Sequence, residues 1–408
     1  MNKAVDIPEY DIFTKTKDDD KPGMSYEDKI FLKQMNDQFT KDSTGSWVSP
    51  LPFRTPRQRL PNNKQQAQRR AEFLESSLKK NAVKREHFLT FMGKILDNNH
   101  AEVAPPLQEN EERWYLPLFG VYHPKKPEQI RGVFDSSAKF NGVSLNNVLL
   151  TGPDLSNSLL GVLVRFRREM IAVTADVQHM FHCFIVREDH RNYLRFLWYK
   201  DNDFEKELIE YRMRVHVFGN SPSPAVATLG LRKTAQAAES EYGQHVTNFV
   251  TNDFYVDDGL TSCPTAEEAI KVMKDTQEAL KKYGNLRLHK FASNSFEVMS
   301  AFPSSDLATN LKYLDLEANT KPLQRSLGLI WNLNTDRFLF QLSPDNKPVT
   351  RRGMLSTVNS IYDPLGFLAP VIIQGQLILP KLTSSTRSIG TTLSQMTSHL
   401  NGNLGEMH

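Results

Sequence analysis

Two cysteines in 408 residues, Cys183 and Cys263, are too few for a disulfide framework or a thiolate zinc cluster, and they suit a reducing compartment. Apolar runs are short, none near the roughly 20 residues that span a bilayer, so no membrane partner is expected. The charged opening from Met1 to Lys21 does not have the pattern of a secretory signal. Excess charge is lacking too: a net charge of +3 is too small to imply a polyanion partner by itself. A hydrophobic content of 39% with 10% aromatics suits a globular chain, and its length allows more than one subdomain.

One stretch stands out against this background, Phe254-Tyr-Val-Asp-Asp-Gly-Leu-Thr261. Asp-Gly between β-prone runs predicts a tight hairpin, with the positive φ on the glycine and the carboxylates at the tip. An isolated Asp-Asp-Gly is usually a solvated turn. Adjacent carboxylates are costly to bury without a cation, however, and a second apolar strand, Ile171-Ala-Val-Thr-Ala-Asp-Val177, also delivers a carboxylate, Asp176, near its end. Two such strands can converge on hard cations that prefer oxygen ligands. The stretch Val177 to Val186 reads as helix-compatible. Asp42-Ser-Thr-Gly45 has one residue too many for an aspartic-protease loop, and His179 with His182 lacks a third zinc ligand.

Tyr255-Val-Asp-Asp258 resembles the Tyr-x-Asp-Asp box of reverse transcriptases, and Ala175-Asp-Val-Gln-His-Met-Phe-His182 resembles their first palm motif. The flanking words are similar to the polymerase of BEL/Pao-type long-terminal-repeat retroelements. They are Ile130-Arg-Gly-Val-Phe-Asp-Ser-Ser-Ala138, Ser144-Leu-Asn-Asn-Val-Leu-Leu-Thr-Gly-Pro-Asp154, Phe218-Gly-Asn-Ser-Pro-Ser-Pro224, Leu327-Gly-Leu-Ile-Trp331 and Tyr362-Asp-Pro-Leu-Gly366. Each word is weak alone; their shared order is what counts.

The resemblance implies an α+β, right-hand polymerase fold: fingers, a palm with an antiparallel sheet backed by helices, and a partial thumb. The implied activity is RNA-directed DNA polymerisation with two Mg2+ ions (Mn2+ being an alternative), an RNA or DNA template with primer, and deoxynucleoside triphosphates. Asp176, Asp257, Asp258 and the Val177 carbonyl would hold metal, with Asp176 and Asp257 on neighbouring strands. Lys290, in Gly284-Asn-Leu-Arg-Leu-His-Lys290, matches the palm lysine near the leaving pyrophosphate. Arg131 matches the fingers arginine on the triphosphate, a role for which a guanidinium fork is suited, with Lys125 or Lys126 as a second cation. Phe181 falls at the steric gate, whose alternative is plain core packing, and Gly219 lies beneath the nucleotide. Leu327, Gly328 and Trp331 match the primer grip. The implied setting is cytoplasmic, in retroelement particles, or nuclear.

The expected organisation is an irregular segment over 1–60, a basic helical lead-in over 61–110, fingers and the start of the palm over 111–175, and the palm over 176–300. Primer grip with partial thumb and connection follows over 301–382, then an unrelated Ser/Thr-rich tail over 383–408. In the lead-in, the spacing of Ala67, Phe73, Leu74 and Leu78 predicts an apolar stripe, and the basic face reads either as an ordinary solvated face or as a contact surface for backbone phosphate. The ending reads as that of a truncated polyprotein piece, so a catalytically inactive nucleic-acid-binding remnant is the competing reading. A palm-fold nucleotidyl cyclase is disfavoured by the fingers words.

Overall fold

The computed structural model describes residues 23–108, 110–123, 126–308, 323–340 and 350–384. Helix α1 (Tyr26–Gln38) opens on a capping box in which Ser25 and Asp28 satisfy each other's backbone N–H groups. Strands β1 (Thr40–Lys41) and β2 (Trp47–Ser49) are joined by a turn in which Asp42 Oδ1 accepts from the backbone of Thr44 and Ser46. That turn is what Asp42-Ser-Thr-Gly45 builds. The lead-in forms α2 (Lys64–Lys80) and α3 (Ala82–Asp97). Phe73 does not share the buried stripe: it is 75% exposed, one residue off the line through Ala67, Leu74 and Leu78 that faces the core.

Next come β3 (Ala101–Val103), the hairpin β4 (Leu118–His123) and β5 (Lys126–Phe134), and the short α4 (Leu145–Val148). Helix α5 (Leu159–Phe166) begins where the Ser158 side chain caps its first turn by accepting from the Gly161 N–H. After β6 (Ile171–Val177) the chain does not continue as a helix. His179 takes a left-handed conformation (φ 52°), leaving only the 3-10 turn Met180–Cys183 before β7 (Ile185–Val186).

Strands β8 (Arg195–Tyr199) and β9 (Leu208–Met213) pair with β3 in the order β3-β9-β8. Then α6 (Ser223–Tyr242) and α7 (Gln244–Asn252) meet at Gly243, whose φ of +91° turns the chain between them. The α7 helix has no counterpart in the sequence reading. Strands β10 (Phe254–Tyr255) and β11 (Asp258–Cys263) lead into α8 (Ala266–Gly284), capped by Thr265 and closed by left-handed Asn285. The remaining elements are β12 (Leu288–Ser293), α9 (Phe296–Ser300), the meander β13 (Leu323–Ser326), β14 (Leu329–Asn332) and β15 (Arg337–Leu339), then α10 (Arg351–Val358) and α11 (Ala369–Ser384).

The site rests on the antiparallel sheet β10-β11-β6-β12. Alternation along β6 gives its two faces different work. Val173, Ala175 and Val177 enter the largest core with the buried faces of α6, α7 and α8. Ala172, with Leu260 of β11 and Ala292 of β12, enters a second core with α5 and β14. A third core unites α2, α3 and the sheet β3-β9-β8. Among the described residues no helix is long and apolar enough to cross a membrane.

Candidate active site

Antiparallel register places Asp258 directly across from Asp176. Tyr255 pairs with Asp258, so the turn between β10 and β11 consists of Val256 and Asp257. Asp257 is therefore a turn residue, and Asp258, not Asp257, is the neighbour of Asp176 in the sheet. The positive φ falls on Val256 (59°) and not on Gly259. Gly259 is small for another reason: a Cβ there would lie 2.7 Å from the Phe254 ring and 2.9 Å from that of Phe249. The Val177 N–H donates to the Asp257 carbonyl at 2.9 Å and ties the turn to β6.

The three carboxylates sense one another. Burial, then the charges of Asp257 and Asp176, push Asp258 up to about 7. Burial and the Asp176 charge also raise Asp257, while the charges of Lys290 and Arg131 pull the other way. Arg131 lies on β5 opposite Val121, so the β4–β5 hairpin brings its guanidinium within electrostatic reach of the turn. Asp176 behaves differently. Burial works against its charge, but His289 and Lys290 outweigh that and hold its carboxyl below the ordinary range. Lys290 Nζ donates to Asp176 Oδ2 at 3.0 Å, and His289 Nε2 lies 3.1 Å from Oδ1.

Asp176, Asp258, Lys290 and Thr174 line a cavity of about 720 Å³ together with Leu323 and Ile330 of the meander. Thr174 Oγ1 is buried there without a hydrogen-bond partner among the described residues. Neither His289 nor Thr174 figures in the sequence reading. His289 adjoins Lys290, but only a strand irregularity lets both reach one carboxylate, and nothing in the residue types announces it.

The other expected residues fall at varied distances from this centre. Phe181 is half-buried in the 3-10 turn after β6, its ring 4.6 Å from that of Phe218. Gly219 has φ +110°, and a Cβ on it would come 2.5 Å from the Phe134 carbonyl oxygen, so backbone crossing alone requires glycine. That crossing joins three sequence words: Asn146 donates to the Gly219 carbonyl at 2.9 Å and accepts from the Ser221 N–H at 3.0 Å, while Ser136 bonds Asn220. Lys126 opens β5, and Lys125 lies outside the described residues.

Leu327 (φ 49°) and Gly328 (φ 83°) make the tight β13–β14 turn, and a Cβ at Gly328 would lie 2.7 Å from the Tyr362 ring. Trp331 points inward. It is 1% exposed, meets Phe166 edge-on at 5.0 Å, and donates to Asp336 at 2.9 Å, so it anchors the meander and does not present itself to a ligand.

The donor set suits a divalent cation in chemistry: three carboxylates, two of them with pKa values raised by burial and then by their neighbours' negative charge. In arrangement it is not closed. Among the described residues no three Asp, Glu, His or Cys side chains converge on a point that could hold a metal, and both Asp176 oxygens are engaged.

Residues 350–402 match the model of the Pao retrotransposon-like RNaseH-like domain. The match takes in much of what the sequence reading assigns to a partial thumb and connection, and it runs through most of the segment past 382 read there as unrelated. That segment therefore continues the retroelement-like text. No curated protein matches the chain. Among solved structures, the foamy viral protease-reverse transcriptase dRH in complex with double-stranded DNA covers 93% of this chain with a TM-score of 0.51 and 14% identity. This chain spans 58% of that protein's length, and the likeness is one of fold. The fold is thus mixed α+β with small sheets, similar to a retroviral reverse transcriptase. With the C-terminal match, the chain is retroelement-related.

Proposed function

We propose that the chain is the RNA-directed DNA polymerase portion of a BEL/Pao-type retroelement, with a right-hand arrangement in which α2 and α3 form a basic lead-in, the β4–β5 hairpin belongs to the fingers and the sheet β10-β11-β6-β12 serves as palm. The observation that carries this reading is the grouping of Asp176, Asp257 and Asp258 at one end of a helix-backed sheet, within electrostatic reach of one another and of Arg131, with Asp176 and Asp258 lining a large cavity that Ser326 and Ile330 of the meander also line.

Asp176, Asp257 and Asp258 would hold two Mg2+ ions, with the Val177 carbonyl as a further ligand. When bound, such ions lower the pKa of a primer 3′-hydroxyl and neutralise charge on the triphosphate. The chain's own residues supply positioning. Arg131 offers a guanidinium fork to phosphate oxygens from the fingers side. The β6–Asp257 hydrogen bond fixes where the carboxylates stand, and the meander walls the cavity where a primer end would lie. Phe181 and its partner Phe218 would crowd a ribose 2′-hydroxyl. Double-stranded nucleic acid, which the foamy viral relative holds, is the fitting macromolecular ligand.

A second reading, a nucleic-acid-binding remnant without catalysis, draws on one observation: the carboxylates do not close on a metal position as they stand. Primer extension on an RNA template with Mg2+ separates the two. Extension by the wild type and its loss in Asp257→Asn supports the polymerase. No extension by folded wild-type protein that still binds primer-template refutes it.

A further inference from the structure

Successive side chains of a regular strand point to opposite faces, yet His289 and Lys290 both reach the same carboxylate. The register explains how. His289 pairs with Asp176 and Ala292 pairs with Thr174, so β12 carries one residue more than β6 between those pairs. Lys290 takes up the difference with φ +55°, a conformation unfavourable for a side chain without local hydrogen-bonding capacity. The resulting bulge aims both residues at Asp176. Nζ of Lys290 lies 3.0 Å from one oxygen and Nε2 of His289 lies 3.1 Å from the other. Each Asp176 oxygen is thus held by a side chain of β12, and among the described residues the carboxylate does not share a metal-sized point with Asp257 and Asp258.

We propose that His289 and Lys290 form a clamp that stands in for the divalent cation at Asp176, so that the site takes up metal only by exchanging Lys290 for the ion. The proposal rests on the metal-site reading above. In the clamped state the lysine supplies the positive charge that Asp176 needs, and the strained bulge holds it there. Loading then has a built-in competitor on one of the three carboxylates, while among the described residues no Lys, Arg or His side chain hydrogen-bonds Asp257 or Asp258 as Lys290 and His289 do Asp176. Lys290 is half-exposed, with a side-chain accessibility of 47% against 13% for His289, which makes the lysine the member able to leave.

The sign of the effect separates a clamp from a prop. A residue that merely supports Asp176 would, on removal, disorder the carboxylate and weaken metal binding. Removing a competitor strengthens it. Mn2+ binding to the full chain, read from the electron paramagnetic resonance of the free ion, is compared for wild type, Lys290→Met and Lys290→Gly, with Asp257→Asn as the control that removes a ligand. Lys290→Gly also relieves the positive φ, so it reports the loss of the amine without added backbone strain. Both Lys290 variants are expected to bind Mn2+ on the order of tenfold more tightly than wild type, and Asp257→Asn much more weakly. Equal or weaker binding by both folded Lys290 variants, with the Asp257→Asn loss intact, overturns the clamp and leaves the metal site standing. Mn2+ binding that is the same in all four proteins, Asp257→Asn included, overturns the metal site and the clamp with it.

Discussion

Replacing Asp258 with asparagine should stabilise the metal-free protein at neutral and alkaline pH. The folded-state pKa of this carboxyl stands at about 7 against an ordinary 3.8, raised by burial and by two neighbouring carboxylates. The sign follows from linkage: the folded state binds the proton more tightly than the unfolded state, so folding is penalised wherever the unfolded chain has released it. The penalty is absent below about pH 4, grows through pH 7, and is complete above that. At 1.36 kcal/mol per pH unit, the ceiling is about 4 kcal/mol. Water entry and side-chain relaxation around a partly buried pair reduce this to on the order of 2 kcal/mol. An asparagine side chain keeps the shape and loses the charge. Thermal denaturation with a chelator should show Asp258→Asn melting a few degrees above wild type at pH 8, with the difference vanishing toward pH 4. Added Mg2+ should raise the melting temperature of wild type more than that of the variant. A variant no more stable than wild type at pH 8, or more stable by the same amount at every pH, would refute the electrostatic account of this site.

Three further outcomes bear on other parts of the structure. Val256→Gly should stabilise the chain by about 1 kcal/mol in chemical denaturation, since a β-branched residue at φ 59° is strained, yet slow primer extension by loosening Asp257; unchanged stability would count against stored strain. Gly259→Ala should cost about 1–3 kcal/mol because its methyl meets Phe254 and Phe249 inside ordinary contact distance, and an undiminished urea midpoint would show that those rings yield. His216, fully buried with Nε2 2.6 Å from Ser49 Oγ, has its pKa depressed to about 3 by burial and then by His190. The unfolded chain takes up this proton first, so stability is intact above about pH 6.5 and falls as pH drops below it. His216→Gln should therefore flatten the urea midpoint between pH 7 and 5 by up to about 1.4 kcal/mol per pH unit, and an unchanged slope would mean the ring is not neutral in the fold.

How much of this can be read from the residues differs by the physics involved. Strands ending on carboxylates are legible because alternation and turn chemistry are local, and α8 with its Thr265 cap announces itself through its period. The direction in which the tight turn is made is not. Asp-Gly suggests a glycine at positive φ, whereas the sheet register, a long-range property, sets the turn two residues earlier at Val256 and Asp257. Register also hides His289, since a bulge without glycine leaves no mark in composition. The segment after Val177 misleads because its apolar spacing fits a helix, while left-handed His179 ends that possibility at once. Trp331 illustrates another limit: a word can be placed correctly while its most prominent side chain serves the core.

The backbone itself supplies an argument about where function sits. Ten non-glycine residues among those described have positive φ. Six of them are Asn or Asp, whose short polar side chains tolerate that conformation through local hydrogen bonds. The other four are His179, Val256, Lys290 and Leu327. None lies in a remote surface loop. His179 follows the Asp176 strand, Val256 precedes Asp257 in the turn, Lys290 makes the bulge that reaches Asp176, and Leu327 begins the turn of the meander whose strands wall the same cavity. A strained residue in a fold persists only where its surroundings over-determine it, at about 1–3 kcal/mol each. Chance would scatter such residues over the described chain. Their gathering around three carboxylates, two of them at raised pKa, means that strain and uncompensated charge are concentrated in one place, and neither is a feature that stability alone would preserve there.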